Sequence, residues 1–393
     1  MKHVIRRQAM LSTSNETTPR LSFVFPCLNE EETIETCVTQ VKQSLDQSGV
    51  SYEVVVADNG STDRSREIAA SLGCRVVPVA ERGYGAALRG GIEAALGEYA
   101  MFADCDNTYV YSDAARLYQR ALDTEADMAI ASRITGRIEP GAMPFLHRWL
   151  GTPVLTWLIN RLFHGHLTDC NSGFRCIRKT AYTSWQIRSN GMEFASELLI
   201  KALKAGATTF EIQSGLRKGP EGRIAHLRTW RDGMRHLLFI FSEKPKLFEL
   251  TGLLTLLLAT VLQIMAFITG PVRVAGVFHV FDMHSQLLLL LAAILGAQLY
   301  LFACMLYIQG GDKPLPLTEK LIHLDEGVLF FTLVTTLATC IALVAYIAIQ
   351  WSLAGFSNLN LARNLLFGSH ILAVSLTFSA GLLGLHILKK ARK

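Results

Sequence analysis

Charge is nearly missing from long parts of the last third of this 393-residue chain, and that absence divides it. Charged residues make up 18% of the whole and the net charge is +5, yet the stretches 247–270, 286–307, 328–350 and 367–388 are largely apolar and almost uncharged. Each offers about 20 or more residues, enough for a helix to cross a hydrocarbon core of about 30 Å. Their length and the short polar loops between them exclude a buried, all-helical soluble domain. No ionisable residue is read near the centre of a span, only His386 near the end of the last, which argues against a lipid transporter with a nucleotide-sensing domain.

Other features are lacking too. Met1 to Arg20 has no apolar core, so it reads as a flexible basic arm rather than a secretory signal. The eight cysteines include no C-x-x-C pair and no metal-ligand spacing, so reduced thiols are expected. There is no P-loop, and Arg82-Gly83-Tyr84-Gly85 does not complete a G-x-G-x-x-G fingerprint. Nothing in the chain calls for a nucleic-acid partner.

The first 246 residues are an ordinary mixture of polar and apolar sequence. Apolar, β-branched runs at 21–25, 52–57, 75–79, 99–103 and 127–131 alternate with helical patterns over 35–48, 62–72, 84–96 and 113–123. That alternation predicts an α/β, Rossmann-like, mostly parallel sheet covered on both faces, followed by four C-terminal transmembrane helices. In such sheets the ligand crevice lies beyond the carboxyl ends of the strands. Asp104-Cys105-Asp106 falls at such an end, where two carboxylates one residue apart can share a divalent cation, with Cys105 turned inward to pack. Pro26-Cys-Leu-Asn29-Glu30-Glu31-Glu32 follows the first strand, and Asn29 with Glu32 could form a capping box. Asp58-Asn59-Gly60-Ser61-Thr62-Asp63 follows the second.

With these three motifs in order at strand ends, the chain resembles the inverting family-2 glycosyltransferases of GT-A fold. Ser132-Arg133, Asp169-Cys-Asn-Ser172-Gly173-Phe174-Arg175 and Met192-Glu193-Phe-Ala-Ser-Glu197 make residues 21–246 similar to the polyprenyl-phosphate group, the dolichyl-phosphate mannose and glucose synthases. The resemblance implies that Pro26, Asn29, Glu30 and Asp58 bind the nucleoside. It also implies that Asp104 and Asp106, with Asn107 as a neutral oxygen ligand, hold Mg²⁺ or Mn²⁺ against the diphosphate. Gly83 and Gly85 would let the backbone approach the nucleotide, and Arg133, Arg175, Arg217 and Arg223 would serve phosphate oxygens through their guanidinium forks. Glu193 and Glu197, i and i+4 on one helix face, are expected to pair with these arginines.

The implied reaction moves a hexose from a nucleotide-diphosphate sugar, of the UDP-glucose or GDP-mannose type, to a polyprenyl phosphate. A processive polysaccharide or glycolipid synthase is the alternative, but Arg228-Thr-Trp230-Arg231 lacks the Q-x-x-R-W such enzymes carry. Pro144 to Phe163 is too broken to span and suits an interfacial helix, as does 226–246. Basic residues before Leu247 and at the C-terminus place both ends and the 309–327 loop on the cytoplasmic side of the cytoplasmic membrane. The uncharged spans favour anchoring and contacts with further copies of the chain.

Overall fold

The structure, a computed structural model, describes residues 18–220, 229–274, 278–310, 312–355 and 362–391. Two compact units divide the chain, Met1–Ile240 and Phe241–Lys393.

The first unit is built on a seven-stranded sheet of order β3-β2-β1-β4-β6-β5-β7. The strands are β1 Leu21–Cys27, β2 Tyr52–Asp58, β3 Arg75–Pro78, β4 Tyr99–Phe102, β5 Met128–Ser132, β6 Arg175–Arg178 and β7 Thr209–Gln213. All neighbours pair in parallel except β6, which runs against both β4 and β5. Successive residues serve opposite faces. Phe23, Phe25 and Val56 pack with Ile34, Val38 and Val41 of helix Ile34–Asp46. Val24, Val55 and Phe102 pack with Leu88 and Ile92 of helix Tyr84–Ala94 and with Leu198 and Leu199 of helix Phe194–Lys204. Burial on both faces explains why these strands read as continuous apolar runs.

The register sets the ends of β1 and β2 side by side, while β4 finishes opposite Val24, within β1. Cys27 lies beside Asp58, Val24 beside Phe102, and Phe102 beside Arg175. Because β6 is reversed, its first residue stands where its neighbours finish, so the loop before β6 joins the loops after β1, β2 and β4. The five expected strands all form, while β6 and β7 are additional. The expected capping box does not form. Helix Ile34–Asp46 begins after Thr33, and Asn29 has φ 58° with its Oδ1 accepting from Thr62 N at 2.8 Å.

The second unit has four helices long and apolar enough to cross a membrane, Pro245–Thr269, Met283–Gln309, Glu326–Leu353 and Arg363–Lys390. The first two meet at two glycines. A Cβ on Gly252 would lie 2.5 Å from Tyr300 N, and one on Gly296 would lie 2.5 Å from Leu256 N, so only residues without side chains permit this approach. Buried polar groups sit among the apolar ones. Glu249 has no exposed surface and accepts from the Tyr307 hydroxyl at 2.7 Å and from Leu315 N at 2.9 Å. Gln263 Nε2 donates to Gln286 Oε1 at 3.3 Å, and His370 Nε2 lies 3.1 Å from the Thr260 hydroxyl. His386 is therefore not the only ionisable group of these helices. Hydropathy averaged over a span hides single polar residues turned toward a neighbouring helix.

Candidate active site

The loop after β1 and the loop after β2 are tied to each other and to the loop after β4. Asp58 is buried and uses both oxygens locally, Oδ1 accepting from Ser61 N at 3.0 Å and Oδ2 from Gly60 N at 3.2 Å. Gly60, at φ 92°, has the Arg82 guanidinium against it, and Arg82 donates to Asn59 O. Asn59 carries the connection onward, with its Nδ2 donating to Glu81 O at 2.6 Å and its Oδ1 accepting from Gly83 N at 2.8 Å. Pro26 is half-buried near the end of β1. Glu30 N donates to Ser65 Oγ at 2.8 Å, and the Thr33 hydroxyl lies 3.0 Å from Glu30 Oε2 and 2.6 Å from Cys105 O.

Asp104 and Asp106 follow β4, and Cys105 between them is buried in the core below, as its expected packing role requires. Asp104 Oδ1 accepts from the Tyr84 hydroxyl at 2.7 Å. Desolvation and the negative charge of Asp104 push that phenol well above its usual range, so it stays a donor. Gly173, from the loop before β6, completes the floor. A Cβ there would lie 2.9 Å from the Tyr109 hydroxyl, 3.1 Å from Asp104 Oδ2 and 3.2 Å from the Tyr84 hydroxyl. Asp106 Oδ1 accepts from Thr108 N and its hydroxyl at 3.1 and 2.6 Å. Asn107, at φ 57°, accepts through Oδ1 from Gln40 Nε2 at 3.2 Å, and Gln40 Oε1 accepts from Arg217 Nη1 at 3.0 Å.

Two aspartates offer hard oxygen donors, and among the described residues no group of three or more acidic, histidine or cysteine side chains could hold an ion. That donor set fits Mg²⁺ or Mn²⁺ rather than a dedicated protein cage, because such ions take one or two carboxylates and fill the rest with phosphate oxygens and water.

The arginines are placed unequally. Arg133 forms a two-point fork with Asp169, Nε to Oδ2 at 2.8 Å and Nη2 to Oδ1 at 2.9 Å, while its backbone N donates to Oδ2 at 3.1 Å. Burial pushes the Asp169 carboxyl up, but Arg133 and the amides of Arg133 and Asn171 outweigh it, and the group titrates below the usual range. Arg175 is fully buried, and it donates to the carbonyls of Ser172, Cys170 and Ala195 at 2.8, 2.8 and 3.0 Å. Arg223 lies outside the described residues. Glu193 precedes helix Phe194–Lys204, and Glu197 accepts from Arg188 N and Ser189 N and pairs with Lys201 at 2.6 Å, so the Glu197 carboxylate meets a lysine and two amides rather than the expected arginines.

Gly83 and Gly85 face protein. A Cβ on Gly83 would lie 2.1 Å from Asn190 O and one on Gly85 would lie 2.5 Å from Ser189 O, so both glycines admit the 188–193 turn. Sequence reasoning also missed Tyr84, Asn59 and Gln40, which brace the loops. Only the glycines on either side of Tyr84 signalled that its position is special. Beyond Arg133, a π-helical turn His147–Gly151 leads into helix Thr152–Phe163. Leu155, Ile159 and Phe163 are buried there, whereas Phe145, Trp149 and Trp157 are 74, 64 and 64% exposed.

The family profile described as glycosyl transferase family 2 matches residues 22–185. The low-salt glycan biosynthesis hexosyltransferase Agl6 of Haloferax volcanii is 33% identical over 365 residues, covering 90% of this chain and 86% of that protein. A dolichol-phosphate mannosyltransferase of Pyrococcus furiosus is 25% identical over 228 residues, covering 56% of this chain and 62% of its own. Among solved structures, glucosyl-3-phosphoglycerate synthase of Mycobacterium tuberculosis, crystallised with Mn²⁺, uridine diphosphate and its product, aligns at 22% identity with a TM-score of 0.45 over 57% of this chain and 80% of that one.

Proposed function

The chain belongs to glycosyl transferase family 2, and from that premise we propose that it moves a hexose from a nucleotide-diphosphate sugar to a polyprenyl phosphate, inverting the anomeric centre. The observation that carries this reading is the placement of Asp104 and Asp106 beyond the end of β4 in the middle of the sheet, with Tyr84 oriented on Asp104. The Haloferax relative is named a hexosyltransferase and the Pyrococcus relative a dolichol-phosphate mannosyltransferase, which favours a hexose and a polyprenyl acceptor here. Donors of the UDP-glucose and GDP-mannose types are the candidates. Asp104 and Asp106 would hold Mg²⁺ or Mn²⁺, whose chemistry there would be to neutralise charge on the diphosphate. Asn107 would join as a ligand by releasing Gln40.

A polyprenyl phosphate is largely ionised near neutral pH, its second pKa being about 6 by analogy with phosphomonoesters. It needs no strong base, so the residues of the chain serve chiefly to position it. Arg133 keeps N–H donors beyond the two given to Asp169 and would bind the acceptor phosphate. Arg175 would act from behind, by fixing the 170–172 carbonyls on which the loop before β6 rests. Pro26, Asn29, Glu30 and Asp58 would frame the nucleoside side, Gly83 and Gly85 serve only by seating the 188–193 turn beside Tyr84, and Arg217 and Arg223 would add positive charge.

The catalytic unit and both termini are assigned to the cytoplasmic face of the cytoplasmic membrane. The exposed Phe145, Trp149 and Trp157 then lie among lipid headgroups. The deciding experiment incubates purified full-length protein with a panel of nucleotide sugars, short polyprenyl phosphate and Mg²⁺ or Mn²⁺, and weighs the lipid product. A product one hexose heavier than the acceptor is expected. Hexose incorporated into a polymer, with no lipid-linked monosaccharide, would overturn the acceptor assignment.

A further inference from the structure

Buried hydrogen-bond acceptors without donors are costly, and folded proteins keep few of them. Two occur three residues apart beside the site. Asn190 Oδ1 and Glu193 Oε2 are both shielded from solvent and have no hydrogen-bond partner among the described residues. Their setting is rigid. Glu193 Oε1 accepts from Gly191 N at 3.3 Å, and Glu197 grips the same turn from below through Ser189 N at 2.7 Å. The turn is pressed onto residues 83–85, and Ala86 N donates to Asn190 O at 3.2 Å. Tyr84, inside that contact, is the residue whose hydroxyl is held by Asp104. Both residues are half-buried overall, so each keeps part of its surface open to solvent.

The missing donors are of a particular kind. A carbonyl oxygen and a carboxylate oxygen only accept, and the hydroxyls of a sugar ring donate. Resting on the reading of this crevice as a nucleotide-sugar site, we propose that the 188–193 turn recognises the transferred hexose, with Glu193 Oε2 and Asn190 Oδ1 each accepting from a ring hydroxyl. The negative charge of Glu193 then selects neutral hexoses over hexuronates, whose own carboxylate it repels. The competing account is structural, with Glu193 serving the buried His236, whose titration its charge influences. The two differ in one observable. A residue that grips the hexose affects nucleotide sugars and spares nucleotide diphosphates, whereas one that supports the turn affects both.

The test measures equilibrium binding to the full-length protein in detergent with Mg²⁺, using the pairs UDP with UDP-glucose and GDP with GDP-mannose, and UDP-glucuronate as the charged analogue. Glu193→Gln should weaken the nucleotide hexose that binds by about tenfold or more, the scale of a hydrogen bond to a charged group. It should leave the matching diphosphate within about twofold and narrow the preference for UDP-glucose over UDP-glucuronate where the uridine pair is the one bound. Asn190→Ala should show a smaller loss on the hexose side only. Equal weakening of diphosphate and nucleotide hexose, or no change in either, overturns the assignment. Wild-type protein that binds neither member of either pair overturns the donor reading on which it rests.

Discussion

Asp169, beside the crevice, and Glu249, in the helical bundle, are both carboxylates with no exposed surface, but they are held by different means. Asp169 meets a full guanidinium fork from Arg133 and backbone amides besides. Glu249 takes one phenol and one amide, with no cation beside it among the described residues. At Asp169 buried charge is answered by charge, and around the crevice the loops are joined by side chains reaching between strand ends. In the bundle the polar groups are few, answered by neutral donors, and the packing rests on close contact at Gly252 and Gly296. The contrast separates two kinds of sensitivity, one to loss of charge and the other to loss of shape.

The largest test of that contrast removes charge at constant shape beside the crevice. Asp169→Asn leaves Arg133 without its counter-ion, and destabilisation of about 3–5 kcal/mol is expected from denaturant unfolding of the full-length protein in detergent. A loss under about 1 kcal/mol would show that the fork is ornamental. The same pair gives a pH signature. Because the folded Asp169 titrates below its unfolded value, its contribution is complete above the ordinary carboxylate range and disappears as pH falls through the lowered value. Acid unfolding of Asp169→Asn should therefore lack that component.

Next comes Asp104→Asn, which should cut hexose transfer by about 100- to 1000-fold, equivalent to about 2.7–4 kcal/mol, with the melting profile unchanged. Chelation of the wild type should do the same, and wild-type rates in the variant without metal would remove the carboxylates from the chemistry. In the bundle, Glu249→Leu strands the Tyr307 hydroxyl and Leu315 N and should cost about 1–3 kcal/mol. Glu249→Gln keeps an acceptor and should stay within about 1 kcal/mol. If the glutamine proved as damaging as the leucine, charge would matter in the bundle too, and the contrast would fail. The smallest effect is expected at the surface, where Trp149→Glu should lower turnover on liposomes only a few fold and leave donor affinity in detergent unchanged.

What could be read from the sequence follows the same division. β1, β2 and β4 were legible because strands covered on both faces are unbroken apolar runs, and the D-x-D was legible because it stands where one such run stops. β6 was not, since Arg-Cys-Ile-Arg over 175–178 has no apolar run and its first arginine is buried. Arg175 reads as a phosphate ligand from its guanidinium fork and its place in a motif shared with the family, whereas its donors go to three carbonyls supplied by the fold. Tyr84 and Asn59 act across strand ends that are distant in sequence, and no local pattern marks such bonds. The spans were legible from composition, but the inward turn of Gln263 and His370 depends on which helix is the neighbour.

The reversal of β6 has one more consequence. Everything between Ser132 and Arg175 leaves and re-enters the sheet at a single mouth, and the two ends are fastened there by the Ser132–Thr168 hydroxyl pair at 2.6 Å and the Arg133–Asp169 fork. A segment stapled at both ends to one place behaves as a cartridge. Between those ends it is tied again at Ile138 to Leu216 and through the buried Leu155, Ile159 and Phe163, which leaves the exposed stretch 140–150 as the part that can change length without shifting the register of β1, β2 and β4. Variation confined to 140–150 would alter what approaches the crevice from that side while the loops after β1, β2 and β4 keep their form.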